Sequence, residues 1–243
     1  MSEGSMSDAE SVQRDLANRY AGVVDEVRRA CERTGRDPAD VRIVTVSKGQ
    51  PVVRISQAFR AGLRVFGESR PQEFREKRSF LDGLAEIEWH FIGRLQDNKV
   101  RHLVGLCHLI HSVDRIGLAR AISARAQQVG VQTGVLLQVN VSGEASKAGV
   151  RPSEVVDMAA RMAEMEGLQL RGLMTLAPHG EQEDSRWVFR RLAELAGEVD
   201  QAGIAGISMQ HLSMGMTNDY QVAVEEGATI VRVGRAILGP RRT

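Results

Sequence analysis

The chain has 243 residues, 42% of them hydrophobic, and its 32 basic residues nearly cancel its 31 acidic ones. That length buries a full core as one barrel-sized domain or two small ones. With no basic stripe or acidic tail, nucleic acid is not an implied partner, and no apolar run reaches membrane-spanning length. Residues 1–7 are polar, carry no signal-peptide pattern and are expected to be a disordered segment, with Met6 an alternative start. The expected location is therefore the cytoplasm. Residues 8–34 then read as one amphipathic helix, with Val12, Leu16, Tyr20, Val23, Val27 and Cys31 recurring at three- and four-residue steps and Gly35 as its stop.

After this helix the pattern alternates. Strand candidates end near Lys48, Gly67, Gly93, Ser112, Val141, Met174, Met209 and Val233. Helical patterns follow the first seven, from Val52, Pro71, Asp97, Arg115, Pro152, Glu181 and Asn218, and a short tail follows the last. Such alternation favours a parallel sheet. Eight strands at intervals of roughly 20–35 residues fit a closed (β/α)8 barrel, with the early helix an extra element covering part of it. The competing open, doubly wound sheet lacks support: no GxGxxG follows the first strand. No linker or composition shift divides residues 8–240, so a single domain is expected. Cys31 and Cys107 belong to no CxxC or Cys/His spacing, which leaves buried free thiols and no metal site as the expectation.

In a barrel of this kind, chemistry sits at the carboxyl ends of the strands. Lys48 closes the run Val41-Arg42-Ile43-Val44-Thr45-Val46-Ser47 and is followed by Gly-Gln-Pro. A lysine held at the edge of a core loses water, which disfavours the ammonium, and a neutral amine can condense with a carbonyl to give a Schiff base. The plainer alternative is a strand-end lysine snorkelling into solvent. Only Lys77, Lys99 and Lys147 share its residue type.

The last two strands carry the strongest local signals. His211-Leu212-Ser213-Met214-Gly215-Met216-Thr217 offers a hydroxyl and close backbone approach, and Gly234, after Ile230-Val231-Arg232-Val233, offers the same from the next loop. Backbone N–H groups that converge without an intervening side chain make a phosphate site. In many barrels that site lies after strands seven and eight. Either glycine alone is more often a turn residue. Arg232, in an apolar run, needs a partner. Candidates are Glu225, Asp219, a ligand's phosphate or a ligand's ring nitrogen.

Taken in order, Val44-Thr45-Val46-Ser47-Lys48, Phe66-Gly67-Glu68, Trp89-His90-Phe91-Ile92-Gly93-Arg94-Leu95-Gln96-Asp97-Asn98-Lys99, His111-Ser112-Val113-Asp114, Gln138-Val139-Asn140-Val141-Ser142, Gly172-Leu173-Met174, Leu212-Ser213-Met214-Gly215-Met216 and Val231-Arg232-Val233-Gly234 resemble the pyridoxal phosphate homeostasis (YggS/PROSC) family. The resemblance extends from about residue 10 to residue 240. It implies a fold-type III pyridoxal 5'-phosphate (PLP) protein, a single barrel like the N-terminal domain of alanine racemase. In that reading Lys48 holds PLP as a Schiff base. Ser213, Met214, Gly215, Gly234 and the backbone of Arg235 bind its phosphate, Arg232 faces the pyridine nitrogen, and His90 and Asn140 line the ring pocket. The implied role is to buffer PLP, deliver it to apo-PLP enzymes and influence amino-acid balance, without robust turnover.

Two positions depart from the family's usual pattern: Ser69 stands where Asn is common, and Arg235 where a small Thr is common. Arg94, Lys99 and Arg101 read as a solvated helix face, with an anion or partner site as the alternative. An amino-acid racemase of this fold needs a second base, and the only tyrosines, Tyr20 and Tyr220, are not placed to supply it. A Schiff-base aldolase acting on a phosphorylated carbonyl needs a general acid or base, and usually places its lysine on a later strand. No exposed apolar stripe stands out, so a monomer is expected.

Overall fold

The computed structural model describes residues 8–84, 86–178 and 180–240, so the segment 1–7 lies outside the described residues. Helix α1 runs Asp8–Thr34 and buries Leu16, Val23, Val27, Ala30 and Cys31 on one side. It ends where Gly35 takes a φ of +68°, a left-handed conformation that costs glycine little. The chain then alternates: β1 Arg42–Val46, α2 Val52–Arg60, β2 Val65–Glu68, α3 Pro71–Phe80, β3 Glu88–Phe91 and a 3-10 segment Asp97–His102. Next come β4 Leu109–Val113, α4 Ile116–Val129, β5 Thr133–Gln138, α5 Val155–Ala163, β6 Leu168–Met174 and α6 Arg186–Gln201. The series ends with β7 His211–Met216, α7 Tyr220–Glu225, β8 Ile230–Val233 and the single-turn α8 Arg235–Leu238.

The eight strands pair in sequence order, all parallel, and the sheet closes through β1 and β8, with Val44 opposite Arg232 and Thr45 opposite Val233. Strand alternation separates two apolar regions. Ile43, Phe66, Phe91, Ile110, Val135, Leu137, Val231 and Val233 face the surrounding helices, and with them form the main core. Val44, Leu109, Leu136, Met174 and Ile230 form a smaller cluster inside the barrel. The rest of the interior is polar: His90, His111, Ser213 and Arg232 are all buried there. Cys31 is buried and Cys107 partly so, and both are free thiols. Among the described residues, no helix is long and apolar enough to cross a membrane.

Four expected boundaries move, the third strand ending at Phe91 and not at Gly93. The seventh strand lies after Met209, not before it. Ile204, Ile207 and Met209 are apolar because they pack against the core from a turn region, not because they pair. The fifth strand stops at Gln138, and Val139 continues only as an isolated bridge to Val150. The first ends at Val46, leaving Lys48 on a turn that Gln50 N–H closes onto the Ser47 carbonyl at 3.0 Å.

Candidate functional site

The carboxyl-terminal mouth of the barrel is organised around the turn that carries Lys48. Ser47 still belongs to the sheet, its N–H donating to the Gly67 carbonyl at 2.9 Å. Its hydroxyl donates to Glu68 Oε1 at 2.7 Å, from the end of β2. Beneath the turn lies Lys77 of α3, 5% exposed. Its ammonium donates to the Ser47 carbonyl at 2.8 Å, Glu68 Oε1 at 2.6 Å and Glu73 Oε2 at 3.1 Å. Three donors thus meet three acceptors. Glu73 Oε2 also accepts the Gly49 N–H at 2.9 Å. The turn is therefore gripped on both sides of Lys48, which is half-buried. Burial pushes the Glu68 carboxyl up, against the opposing pull of Lys77 and Ser47. Its second oxygen is buried with no hydrogen-bond partner.

Next to this turn are the ends of β7 and β8. Gly234 approaches so closely that a β-carbon there would lie 3.1 Å from the Val46 carbonyl oxygen. It caps α8, its carbonyl accepting the N–H groups of Ile237 and Leu238, so the first N–H groups of that turn point outward from the helix start. Arg235 is exposed. Gly215 has a φ of +86°, and a β-carbon there would lie 2.6 Å from that of Ala223. Asp219 Oδ1 accepts the Met216 N–H at 2.6 Å and fixes the loop. This is a glycine-lined backbone cradle of the kind that accepts an anion. An open cleft of about 740 Å³ lies on the same end over β3–β5, lined by Arg94, Gln96, Asp114, Arg115 and Lys147 among others.

Arg232 is buried inside the barrel, donating from Nη1 to Ser213 Oγ at 2.5 Å and from Nη2 to the Thr175 carbonyl at 2.9 Å. Burial lowers its pKa to about 10, with Asp219 opposing. Neither bonded partner is a carboxylate. Glu225, one of the expected partners, is instead held by Arg33 and Arg186. His111 Nδ1 lies 2.8 Å from Ser213 Oγ, and its Nε2 lies 2.8 Å from His90 Nδ1. His90 Nε2 reaches Glu88 Oε1 at 2.7 Å.

The match to known proteins covers nearly all of this architecture. The family model for the alanine racemase N-terminal domain matches residues 24–242. The pyridoxal phosphate homeostasis protein of Aquifex aeolicus is 43% identical over 229 residues, covering 94% of this chain and 99% of that protein. The chain belongs to the pyridoxal phosphate homeostasis protein family. The Pseudomonas aeruginosa member is 39% identical over 227 residues, covering 93% of this chain and 96% of that protein. PipY of Synechococcus elongatus, solved with PLP bound, superposes with a TM-score of 0.81 at 33% identity, covering 92% of this chain and all of that one. Alanine racemase from Clostridium difficile, 18% identical with a TM-score of 0.68, shares the fold and covers 88% of this chain but 56% of its own.

The residues singled out from the family's motifs do not all converge. Lys48, Gly215, Gly234 and Arg235 sit at the mouth, and Arg232 projects into the interior below it. The Ser213 hydroxyl is committed to Arg232 and His111, and its carbonyl accepts the Thr175 N–H at 3.1 Å, so both are taken up inside the barrel. The Met214 side chain is fully buried in the main core, so only its backbone faces the loop. His90 is 1% exposed and its Nε2 contacts Glu88, at the amino-terminal end of β3. Asn140 organises its own loop, donating to the carbonyls of Glu144 and Lys147 and accepting the Gly143 N–H. Lys99 and Arg101 are exposed on the 3-10 segment. Sequence reasoning missed Lys77, Glu73 and Glu88, and gave His111, which opens one of the family's motifs, no role. The signal for Glu88 and His90 was present: their spacing of two puts both on the inward side of β3.

Proposed function

We propose that this chain binds PLP at the carboxyl-terminal mouth, holds it reversibly on Lys48, and serves PLP homeostasis and delivery rather than turnover. The observation that carries this reading is the clamped turn. Lys77 and Glu73 fix the backbone on both sides of Lys48, directly beside the β8 end that bears Arg232 and Gly234. Lys48 would hold the cofactor through its amine, condensing with the aldehyde so that C=N replaces C=O and one water leaves. Hydrolysis returns both partners, which is what a carrier requires. The backbone of Ser213–Gly215 and the α8 start cradle the phosphate. When bound, PLP supplies the reactive aldehyde and, in its enzymes, an electron sink.

Arg232 bears on the choice between carrier and catalyst. A guanidinium that stays cationic can only donate to the pyridine nitrogen, which keeps that nitrogen unprotonated and weakens the electron sink. Tyr220 gives its hydroxyl to Glu26 on α1, and Tyr20, a residue of α1, packs against the core, so neither is placed to act as a racemase's second base. Apo-PLP enzymes are the proposed recipients. The test is the absorbance spectrum after PLP addition, in wild type and Lys48→Ala, followed by borohydride reduction and peptide mass mapping. A yellow species reduced onto Lys48 and missing in the variant is expected. No specific adduct, with identical spectra for wild type and variant, would refute the proposal and favour an aldolase-type enzyme.

A further inference from the structure

The hydrogen bonds inside the barrel run in one direction. Glu88 accepts the Arg42 guanidinium, and His108 lies 3.5 Å away. Burial opposes ionisation of Glu88. The His90 hydrogen bond and the Arg42 guanidinium outweigh that and hold its pKa well below the usual carboxylate range. An ionised carboxylate only accepts, so His90 Nε2 carries the proton in the 2.7 Å contact. Burial keeps His90 neutral against the pull of Glu88, so its Nδ1 must accept. His111 Nε2 therefore donates to it. Burial, with His90, Arg232 and His211 nearby, holds His111 neutral as well, so its Nδ1 accepts from the Ser213 hydroxyl. Ser213 Oγ then has a lone pair left, and Arg232 Nη1 donates to it. Each link admits one assignment given the link before it.

We propose that this relay, Arg232 to Ser213 to His111 to His90 to Glu88, makes Glu88 at the amino-terminal end a positioning residue for the guanidinium that faces the pyridine nitrogen. It rests on the PLP reading above for the role of Arg232. The four inner members are at most 3% exposed. They come from β3, β4, β7 and β8, so the relay crosses the interior from one side of the barrel to the other. A buried guanidinium without a bonded carboxylate needs strong neutral acceptors. Here the Ser213 oxygen is polarised by a chain ending on a full negative charge, since hydrogen bonds in series strengthen one another. The outer end is accessible: Glu88 and His108 line a cleft of about 370 Å³ with Glu86, Trp89, Gly105 and Cys107 among its walls. The charged and titratable groups facing the relay are Arg42 and His108 at Glu88, with His108 stacked on His90 at 5.7 Å, His211 near His111, and Asp219 near Arg232.

The experiment has two arms. In the first, nitrogen-15 NMR of the full chain without PLP reads the histidine tautomers between pH 6 and 8. His90 and His111 are expected neutral, both protonated on Nε2. A proton on Nδ1 of either ring reverses the relay and overturns the proposal. In the second, PLP affinity and the spectrum of bound PLP are compared for wild type, Glu88→Gln, Ser213→Ala and the double variant. Glu88→Gln removes the charge but keeps the acceptor, and is expected to weaken PLP binding about three- to tenfold, the scale of one hydrogen bond. That loss should vanish in the Ser213→Ala background, where the link is cut. An equal loss in both backgrounds marks a merely structural effect and overturns the proposal, as does no loss in either. If wild type takes up no PLP, the PLP reading fails by itself, and with it the role assigned to Glu88. The tautomers still decide whether the relay exists.

Discussion

Replacing Lys77 with Met tests how the Lys48 turn is held. The substitution keeps most of the side-chain volume but removes three hydrogen bonds and the positive charge, leaving Glu68, 0% exposed, against a neutral neighbour. Removing one partner of a buried ion pair costs about 3–5 kcal/mol when the remaining group stays charged. Glu68 can escape part of this by taking a proton, because burial already raises its pKa. The expected loss at pH 7.5 is therefore about 3 kcal/mol, which is about 6–12 °C in Tm for a chain of this size. The sign of the pH dependence follows. With Lys77 gone, the folded-state pKa of Glu68 lies further above the unfolded value, so stability is penalised as pH rises from the unfolded pKa towards the folded one. The variant should lie closer to wild type at pH 5 than at pH 7.5. Lys77→Met combined with Glu68→Gln should recover much of the loss. Denaturant unfolding at the two pH values checks this, with the rate of Lys48 adduct formation on the same samples expected to fall. A loss below about 1 kcal/mol at pH 7.5, with no recovery in the double variant, would refute the clamp, because a buried charge without its partner cannot be that inexpensive.

Gly215→Ala forces a side chain onto a φ of +86° and a β-carbon to 2.9 Å from Tyr220 Cα, so a loss of about 1–3 kcal/mol and weakened PLP binding are expected, read by thermal unfolding and titration. Glu88, with its pKa held well below the usual carboxylate range, contributes stability that is present above the unfolded carboxylate pKa and lost as pH falls through the folded one. The stability difference between wild type and Glu88→Gln should therefore be on the order of 2 kcal/mol at pH 7 and shrink steadily between about pH 5 and pH 2 in urea unfolding. Arg235→Thr changes an exposed residue, so stability should stay within about 0.5 kcal/mol. If a hydroxyl at that position reaches the phosphate, PLP should bind about fivefold tighter by spectroscopic titration.

The fold was legible because its signals are repetitive. The three- and four-residue steps in α1, and helices opening at Val52 and Pro71, follow from local sequence alone. The seventh strand was harder. Ile207 and Met209 look like strand residues because both are partly buried, and burial leaves the same apolar mark whether or not the backbone pairs. The placement of Lys48, Gly215 and Gly234 at the strand ends was legible, because there a residue type carries its own constraint. The site was not legible at Lys77 or His111. Their partners, Ser47 at 30 residues' distance and Ser213 at 102, come together only when the strands close. A lysine on a helix and a histidine in a strand give no local hint of either contact. His90 shows the intermediate case: its motif marks it as important, but only the bonded neighbours show that it faces Glu88.

The order in which the chain is synthesised gives α1 a particular burden. It is made first, yet it packs on α7 and α8, which are made last. Glu26 meets Tyr220 and Arg33 meets Glu225 across 194 and 192 residues. β1 likewise waits for β8 before the sheet can close. During translation α2 emerges early and covers part of α1, but the surface that α7 and α8 provide for it is missing until almost the whole chain has emerged. Contacts of such long sequence separation fold slowly and leave apolar surface exposed to aggregation. Completing the barrel and docking its first helix are thus one late event, so a nascent chain truncated before α7 should be a client for chaperones, not a smaller working protein.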